Sequence, residues 1–177
     1  LQQTFPFRWS RVVQAHPWRS LLVGTVVLLA LAAPVVSLRL GFSDEGNYSE
    51  ATTTRRAYDL LADGFGPGFN GPLVAAVTLT DPGDADALTG LVDAIGADPG
   101  VQFASPARVD DPANPQAALV QIILTTSPQE EVTTDTIERL REEVVPVAIA
   151  GTGLTVYVTG TTAASIDFTT YLADRLF

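Results

Sequence analysis

Residues that could carry out chemistry are scarce in this chain. His16 is its only histidine, and cysteine, methionine and lysine are absent. Without cysteine, a disulfide framework and a thiolate metal site are excluded, and a lone histidine makes a transition-metal site improbable. His16 precedes Pro17 and a long apolar stretch, a position that favours a polar anchor at a membrane surface over a catalytic base. We therefore expect no metal and no cofactor.

Two other clusters could suggest a bound ion or nucleotide. Asp81, Asp84 and Asp86 are close in sequence, but they lack the ligand spacing and the final bidentate glutamate of an EF-hand. Helix capping and solvation explain them better. The glycines at 64–68 and 151–153 lack the strand–GxGxxG–helix context, and no lysine is present for a P-loop. The residue types and motifs present therefore give little support to an enzymatic function.

The strongest pattern is an uncharged stretch of 19 residues, 20–38, between Arg19 and Arg39. Fourteen of these residues are Leu, Val or Ala. A helix of this length covers about 28 Å, close to the ~30 Å hydrocarbon core of a bilayer. Trp9 and Trp18 lie where aromatic residues anchor a helix at the lipid headgroups. The pattern predicts a transmembrane helix over 17–39, preceded by an interfacial segment over 1–16.

Two alternatives for this stretch remain open. A cleaved signal peptide would share the arginine-bearing start and the small residues near its end, although its apolar core is normally only 7–15 residues long. A buried helix of a soluble protein is less favoured, since the stretch has no polar face to turn to water.

Charge is distributed very unevenly along the chain. Residues 1–40 contain four Arg and no acid, whereas 41–177 contain 20 acidic residues and six Arg. The positive-inside rule places the N-terminal flank in the cytoplasm and residues 40–177 outside it. Such an acidic region has no basic face for phosphate contacts, so we expect no nucleic-acid partner.

A connector over 40–71 is predicted to contain one helix, with Ser49 as its N-cap and Gly64 as its stop signal. The stretch that follows, GFGPGFNGPL, cannot continue a helix or a strand interior.

From residue 72 the pattern alternates between strands and helices. Strands are predicted at 73–80, 101–104, 118–125 and 154–159. Helices are predicted after Asp84 and after Ser127, which opens a capping box with Glu130. The Pro- and Asp-rich segment between the second and third strands is predicted to be a loop. Two βαβ units in this order predict an α+β, ferredoxin-like domain over 72–160, followed by a helix over 161–177.

Several stretches together resemble the MMPL family of the RND transporter superfamily. They are RWSRVVQAHPW (8–18), the apolar helix, LRLGFSDEGN (38–47), TTTRRAYDLLADGFGPGFNGPL (52–73) and GTGLTVYVTGTTAASIDFTTYLADRLF (151–177). The resemblance implies a longer protein of two similar halves, each with a lone helix, a ferredoxin-like porter domain and five further membrane helices. It favours the second half, with 161–177 leading into the next transmembrane segment.

The resemblance also implies a function. Members export lipids or other hydrophobic molecules by using the proton gradient, and their proton-relay residues lie on membrane helices outside this stretch. The expected partners are the lipid bilayer, a hydrophobic or lipid substrate, and the remaining transmembrane helices. An apolar path for such a substrate is expected in the connector. Its candidate residues are Phe42, Tyr58, Phe65, Phe69 and Asn70.

Two other interpretations stay open. Aromatic residues at the border of a domain often only fill its core. The domain could also be a membrane-anchored or secreted binding or structural module without a transport role.

Overall fold

The computed structural model describes residues 5–37, 43–80 and 84–176 in two units, 1–40 and 41–177. The first unit contains helices α1 (Phe5–Ala15) and α2 (Pro17–Ala32), and α2 continues as a 3₁₀ turn over Ala33–Ser37. Pro34 explains this change, because proline has no N–H to donate to the preceding turn. The predicted span extends to residue 39, and residues 38 and 39 lie outside the described part.

The helix over Pro17–Val35 is long and apolar enough to cross a membrane. Its mean hydropathy reaches 1.8, and none of its most apolar window is buried inside the protein. A helix that exposes so many Leu and Val side chains needs an apolar surrounding, which a bilayer provides. The structure therefore contains one candidate membrane span among the described residues.

The second unit is built on an antiparallel sheet. Its strands are β1 (Leu73–Leu79), β2 (Val101–Ala104), β3 (Arg108–Val109), β4 (Ala117–Leu124) and β5 (Leu154–Thr159). The order across the sheet is β2-β4-β1-β5, and β3 also pairs with β4. The four long strands thus have the order of two interleaved βαβ units, and the prediction of an α+β, ferredoxin-like fold is confirmed.

Helices cover one face of this sheet. They are α4 (Ala85–Gly96), α5 (Glu131–Arg139), α6 (Val145–Ala148) and α7 (Thr161–Leu176). Helix α3 (Thr53–Phe65) precedes β1 and contributes no buried side chain to this layer. The core is formed by alternate residues of β1 and β4 together with the apolar stripes of α4 and α5, among them Leu91, Ile95, Val120, Ile122 and Ile137. Period-two burial on the strands leaves their other residues on the opposite, open face.

A π-helical turn, Leu140–Val144, joins α5 to α6. Pro146 lies two residues after the end of this turn, and a proline in a helix both lacks a donor and crowds the carbonyl four residues earlier, here that of Glu142. A wider turn at this point relieves that crowding. The spacing of Ile137, Leu140 and Val144 predicts a buried helix stripe; Ile137 and Leu140 are buried, whereas Val144 is only half-buried.

Three details differ from the sequence predictions. The N-cap of α3 is Thr52, whose hydroxyl accepts from the Arg55 N–H, and not Ser49. Helix α3 also continues through Gly64 to Phe65. The Pro- and Asp-rich loop contains strand β3, which the lack of an apolar run had concealed.

The predicted caps of the next two helices have different outcomes. Asp84 precedes α4 but makes no capping bond, and its Oδ1 accepts from the Gly153 N–H at 3.0 Å. It thus connects the start of α4 to the turn before β5. Only half of the predicted capping box is present: Glu130 Oε1 accepts from the Ser127 N–H at 2.8 Å, but the Ser127 hydroxyl donates to the same oxygen, and the N-cap of α5 is Glu130.

Two arginine–carboxylate pairs hold the helices in place. Arg139 donates from Nε and Nη2 to the two oxygens of Asp98, each at 2.7 Å. Arg141 binds both oxygens of Asp167 on α7 and also donates to the carbonyl of Val158 on β5. The Arg141 guanidinium lowers the pKa of Asp167. This second pair fixes α7 to the end of the sheet.

Candidate functional site

The candidate path residues lie around α3 and the 3₁₀ turn that follows it, Pro67–Asn70. Asn70 donates from Nδ2 to the carbonyl of Tyr58 at 3.1 Å and so ties this turn back to the middle of α3. The rings of Phe65 and Phe69 stack, with their centroids 4.9 Å apart and an angle of 25° between the ring planes. The chain reversal therefore brings two predicted aromatic residues together.

The stacked rings form part of an exposed apolar surface. Phe65 is 59% exposed, Phe69 is 37% exposed, and Leu61 lies one turn before Phe65 on α3 and is 37% exposed. Residues four apart share a helix face. We call Leu61, Phe65 and Phe69 the aromatic surface. No side chain of α3 is buried, so this helix offers its apolar residues to the surroundings rather than to the core.

Close backbone contacts hold the turn against the sheet. A Cβ on Gly68 would lie 2.0 Å from the carbonyl oxygen of Leu124 in β4, so only glycine fits there. Gly66 has φ +94°, a left-handed conformation that favours glycine. Beside it, Gln102 donates from Nε2 to the carbonyl of Phe65 at 3.2 Å. These contacts fix the position of the aromatic surface.

Tyr58 lies in a different environment from the two phenylalanines. Its hydroxyl donates to Asp44 Oδ2 at 3.3 Å, and its half-buried ring lies against Gly46. Asp44 Oδ1 also accepts from the Gly46 N–H at 2.9 Å. Arg55 completes the cluster by donating to the Gly46 carbonyl and, at 2.8 Å, to Asp59. We call Asp44, Gly46, Arg55 and Tyr58 the tyrosine clasp.

The tyrosine clasp is expected to open at alkaline pH. Burial, and then the negative charge of Asp44, raise the pKa of Tyr58 from 10.0 to about 12. Because the native pKa exceeds the unfolded one, the stabilisation from the protonated phenol is complete below pH 10 and is lost as the pH rises through about 12. The measurement is tyrosinate absorbance against pH, with the curve of Tyr58→Phe subtracted from that of the wild type. The difference should show one tyrosine that titrates late. An ordinary tyrosine pKa in the difference would contradict the tyrosine clasp.

The sequence located this region but assigned its residues only in part. Phe42 lies outside the described residues, so the structure does not place it. Phe65 and Phe69 are exposed and paired, while Tyr58 and Asn70 hold the segment together. Gln102 was missed, and no sequence signal could have found it because β2 reaches this turn only through the sheet. Leu61 was not among the predicted path residues, although its apolar spacing on α3 is visible in the sequence.

The chemistry of this region is apolar. Within the described residues, no three His, Cys, Asp or Glu side chains come together as a group that could hold a metal ion. What the arrangement offers is contact with apolar groups and the two faces of aromatic rings.

Several known proteins are similar to this chain. A profile of the MMPL family matches residues 68–177. The chain is 32% identical to the membrane protein YdfJ of Bacillus subtilis over 95% of the chain and 22% of that protein. It is 31% identical to the mycolic acid-containing lipids exporter MmpL11 of Mycolicibacterium smegmatis over 94% of the chain and 18% of that protein. The chain thus spans about a fifth of these relatives.

A solved structure, the mycobacterial membrane protein MmpL11D2, is also similar. It shares 20% identity and a TM-score of 0.36, with 49% of this chain and 98% of that chain covered. This likeness is loose, and the fold of the present chain rests on its own strand order.

The profile match covers well over half of the chain, including residues 68–70 of the 3₁₀ turn, the whole sheet and α7. This protein chain belongs to the MMPL family.

Proposed function

We propose that this chain is part of a membrane exporter of lipids or other hydrophobic molecules, driven by the proton gradient. The observation that carries the proposal is the similarity over 94–95% of the chain to YdfJ and to a lipid exporter, MmpL11. On this proposal the chain has no enzymatic role, and the residues that couple export to protons lie on other helices of the parent protein. Placement in the second half of the transporter stays a prediction.

The proposed arrangement has α2 in the bilayer and residues 40–177 outside the cytoplasm. Support comes from the exposed apolar helix Pro17–Val35 and from the arginines that precede it. Positive charge close to a membrane helix is retained on the cytoplasmic side. The partners in this arrangement are the lipid bilayer and the remaining transmembrane helices.

We assign the substrate path to the connector, with Phe42, Tyr58, Phe65, Phe69 and Asn70 as its residues. The aromatic surface supplies the contacts that a hydrophobic cargo needs outside the bilayer, since each Å² of apolar surface removed from water is worth about 25 cal/mol. Tyr58 and Asn70 act by holding α3 and the turn in place, because their polar atoms bond within the protein.

Truncation of the two rings tests this path. In the parent transporter, the double substitution Phe65→Ala with Phe69→Ala should lower export of the hydrophobic cargo by about tenfold, the effect of losing roughly 1.4 kcal/mol of binding. Phe65→Leu with Phe69→Leu keeps an apolar surface and should retain most of the export. Export is measured as labelled lipid released from cells at matched protein level.

The matched control is Phe168→Ala, which removes another half-exposed ring, on α7. It should leave export near the wild-type value. Normal export by the double alanine variant at a normal protein level would remove the path. An absence of hydrophobic export by the wild-type parent protein would remove the proposed function itself.

A further inference from the structure

The open face of the sheet carries a transverse row of side chains. The register pairs Arg108 of β3 with Leu119 of β4, Leu119 with Ala76 of β1, and Ala76 with Tyr157 of β5. Directly paired residues of antiparallel strands share a face. Leu119 is 54% exposed and Tyr157 is 65% exposed, so no described element covers the row. Since strands lie about 4.8 Å apart, the row spans about 14 Å.

A groove lies at the β3 end of this row, lined mainly by residues of β3 and β4. It has a volume of about 680 Å³, and its wall includes Val74, Leu119 and Gln121 together with Arg108 and Asp110. The apolar floor consists of strand residues, so its shape is fixed by the sheet. A rigid apolar floor with charged groups at one end is the layout of a site for an amphiphile.

The two charged side chains at that end of the groove, Arg108 and Asp110, differ in whether they already have partners within the protein. The Arg108 side chain makes no hydrogen bond or ion pair with any described residue, whereas Arg55, Arg139 and Arg141 are all paired. Asp110 is already engaged, because its Oδ1 accepts from the N–H groups of Gln116 and Ala117 at 3.0 and 3.1 Å.

The bonds to Asp110 lower its pKa and keep it charged. Its negative charge disfavours a second anionic group beside Arg108. The Arg108 guanidinium therefore remains open to a ligand at the edge of the apolar row, and this favours a head group with a single negative charge.

We propose that the groove binds a single-chain or lipid amphiphile that carries one anionic head group. Arg108 binds the head group in the groove, and the acyl chain runs from the groove over Leu119 and along the row across Ala76 toward Tyr157. This site rests on the proposed function for its cargo class, because an exporter of hydrophobic molecules encounters such amphiphiles. It adds a charge requirement that the aromatic surface, which is apolar, does not provide.

The absence of cysteine allows a direct test with the full chain in lipid nanodiscs. Thr78→Cys places a single thiol on the exposed side of β1, one row from Leu119, and a polarity-sensitive dye on it reports occupancy. At about pH 5, where a phosphate monoester carries mainly one negative charge, dodecyl phosphate should shift the dye emission saturably, dodecanol only weakly, and inorganic phosphate not at all. The same dye on Thr89→Cys, at an exposed position of α4, should not respond.

Substitutions then separate the head-group contact from the apolar contact. Arg108→Gln should lower the affinity for dodecyl phosphate about tenfold and leave the affinity for dodecanol unchanged. Leu119→Asn should lower the affinity for both probes. Arg56→Gln, at an exposed arginine of α3, is the matched control and should change neither.

Equal affinity of the wild type and Arg108→Gln for dodecyl phosphate would overturn the proposal, and so would a shift produced by inorganic phosphate alone. Protection of Thr78→Cys from an impermeant maleimide in the parent transporter would show that another protein segment covers this face, and this result would overturn the proposal as well. If export persists without a dodecyl phosphate response, the groove is wrong and the proposed function stands. If the response occurs without export, the groove stands and the proposed function is wrong.

Discussion

Replacement of Arg139 by methionine is expected to lower the free energy of unfolding by about 3 kcal/mol, the lower end of the usual effect of removing one partner from a buried ion pair, because the Arg139 side chain is itself 33% exposed. The Asp98 side chain is only 2% exposed, and Arg139 is its charged partner. Without the guanidinium, Asp98 keeps only the N–H of Gly100, which donates to Oδ1 at 2.8 Å. Denaturant unfolding of the full chain in detergent, followed by circular dichroism, measures the loss.

Arg141→Met is the matched control for this prediction. It makes the same substitution two residues later, but its partner Asp167 is 55% exposed and can return to water. Exposed pairs contribute only about 0–1 kcal/mol, and the lost hydrogen bonds to the Val158 carbonyl add about 1 kcal/mol, so the control should lose clearly less stability than Arg139→Met. Similar losses in both variants would show that the burial of Asp98 is not decisive.

At acid pH, the difference in free energy of unfolding between the wild type and Arg139→Met should become smaller. The hydrogen bonds from Arg139 lower the pKa of Asp98 below its ordinary 3.8. A lowered native pKa contributes stability above pH 3.8 that is lost as the pH falls through the native value. Arg139→Met lacks most of this contribution, so its loss of unfolding free energy relative to the wild type should become smaller below about pH 4.

Gly68→Ala is the second substitution with a large expected effect. The new Cβ would lie 2.0 Å from the Leu124 carbonyl oxygen, and the obstacle is backbone that cannot rotate away. The turn Pro67–Asn70 must then lift from β4, at a cost of about 3 kcal/mol, the upper end of typical overpacking. Denaturant unfolding should show this loss, and the Phe65–Phe69 stack should loosen with it.

Gly64→Ala is the control that the chain itself offers. Gly64 lies inside α3, and no other atom comes within 4 Å of the position that its Cβ would take. Alanine there should stabilise the protein by about 0.5 to 1 kcal/mol, because it restricts the unfolded chain and favours the helix. The two glycines, four residues apart, should therefore change stability in opposite directions. Equal effects would contradict the docking of the turn on β4.

These two predictions concern the parts of the molecule that position the aromatic surface. The Asp98–Arg139 pair joins the turn before β2 to α5, and the glycine contact joins the connector to β4. If the proposed path is correct, Gly68→Ala in the parent transporter should lower export even where folding survives, because the rings would lose their fixed support.

Much of the architecture was accessible from local patterns. The short apolar run over 73–80 and the stripe of Leu88, Leu91 and Ile95 predicted β1 and α4, because such a run is typical of a strand and such a spacing is typical of a helix with one buried face. Strand β3 escaped prediction because two residues, Arg108 and Val109, are too short to show a period. The choice of Ser49 over Thr52 as N-cap failed for a similar reason, since several residues there can cap a helix.

The roles of the candidate site residues depended on long-range contacts. Composition could suggest that Phe65 and Phe69 serve an apolar path, but not that their rings stack or that Gln102 supports them from β2. Asp84 was predicted to cap a helix and instead binds Gly153, which is 69 residues away. Polar side chains accept whichever partner the fold brings near, and sequence spacing does not show this.

The sequence by itself determined the apolar helix, the charge asymmetry, the two βαβ units and the resemblance to the MMPL family, because each of these is written in hydrophobic period, charge or local motif. Only the tertiary structure decided the burial of the Asp98–Arg139 pair, the tyrosine clasp, the docking of Gly68 on β4 and the row from Arg108 to Tyr157. Those features arise where strands and turns distant in sequence meet, and their energies come from burial and close approach that exist only in the folded chain.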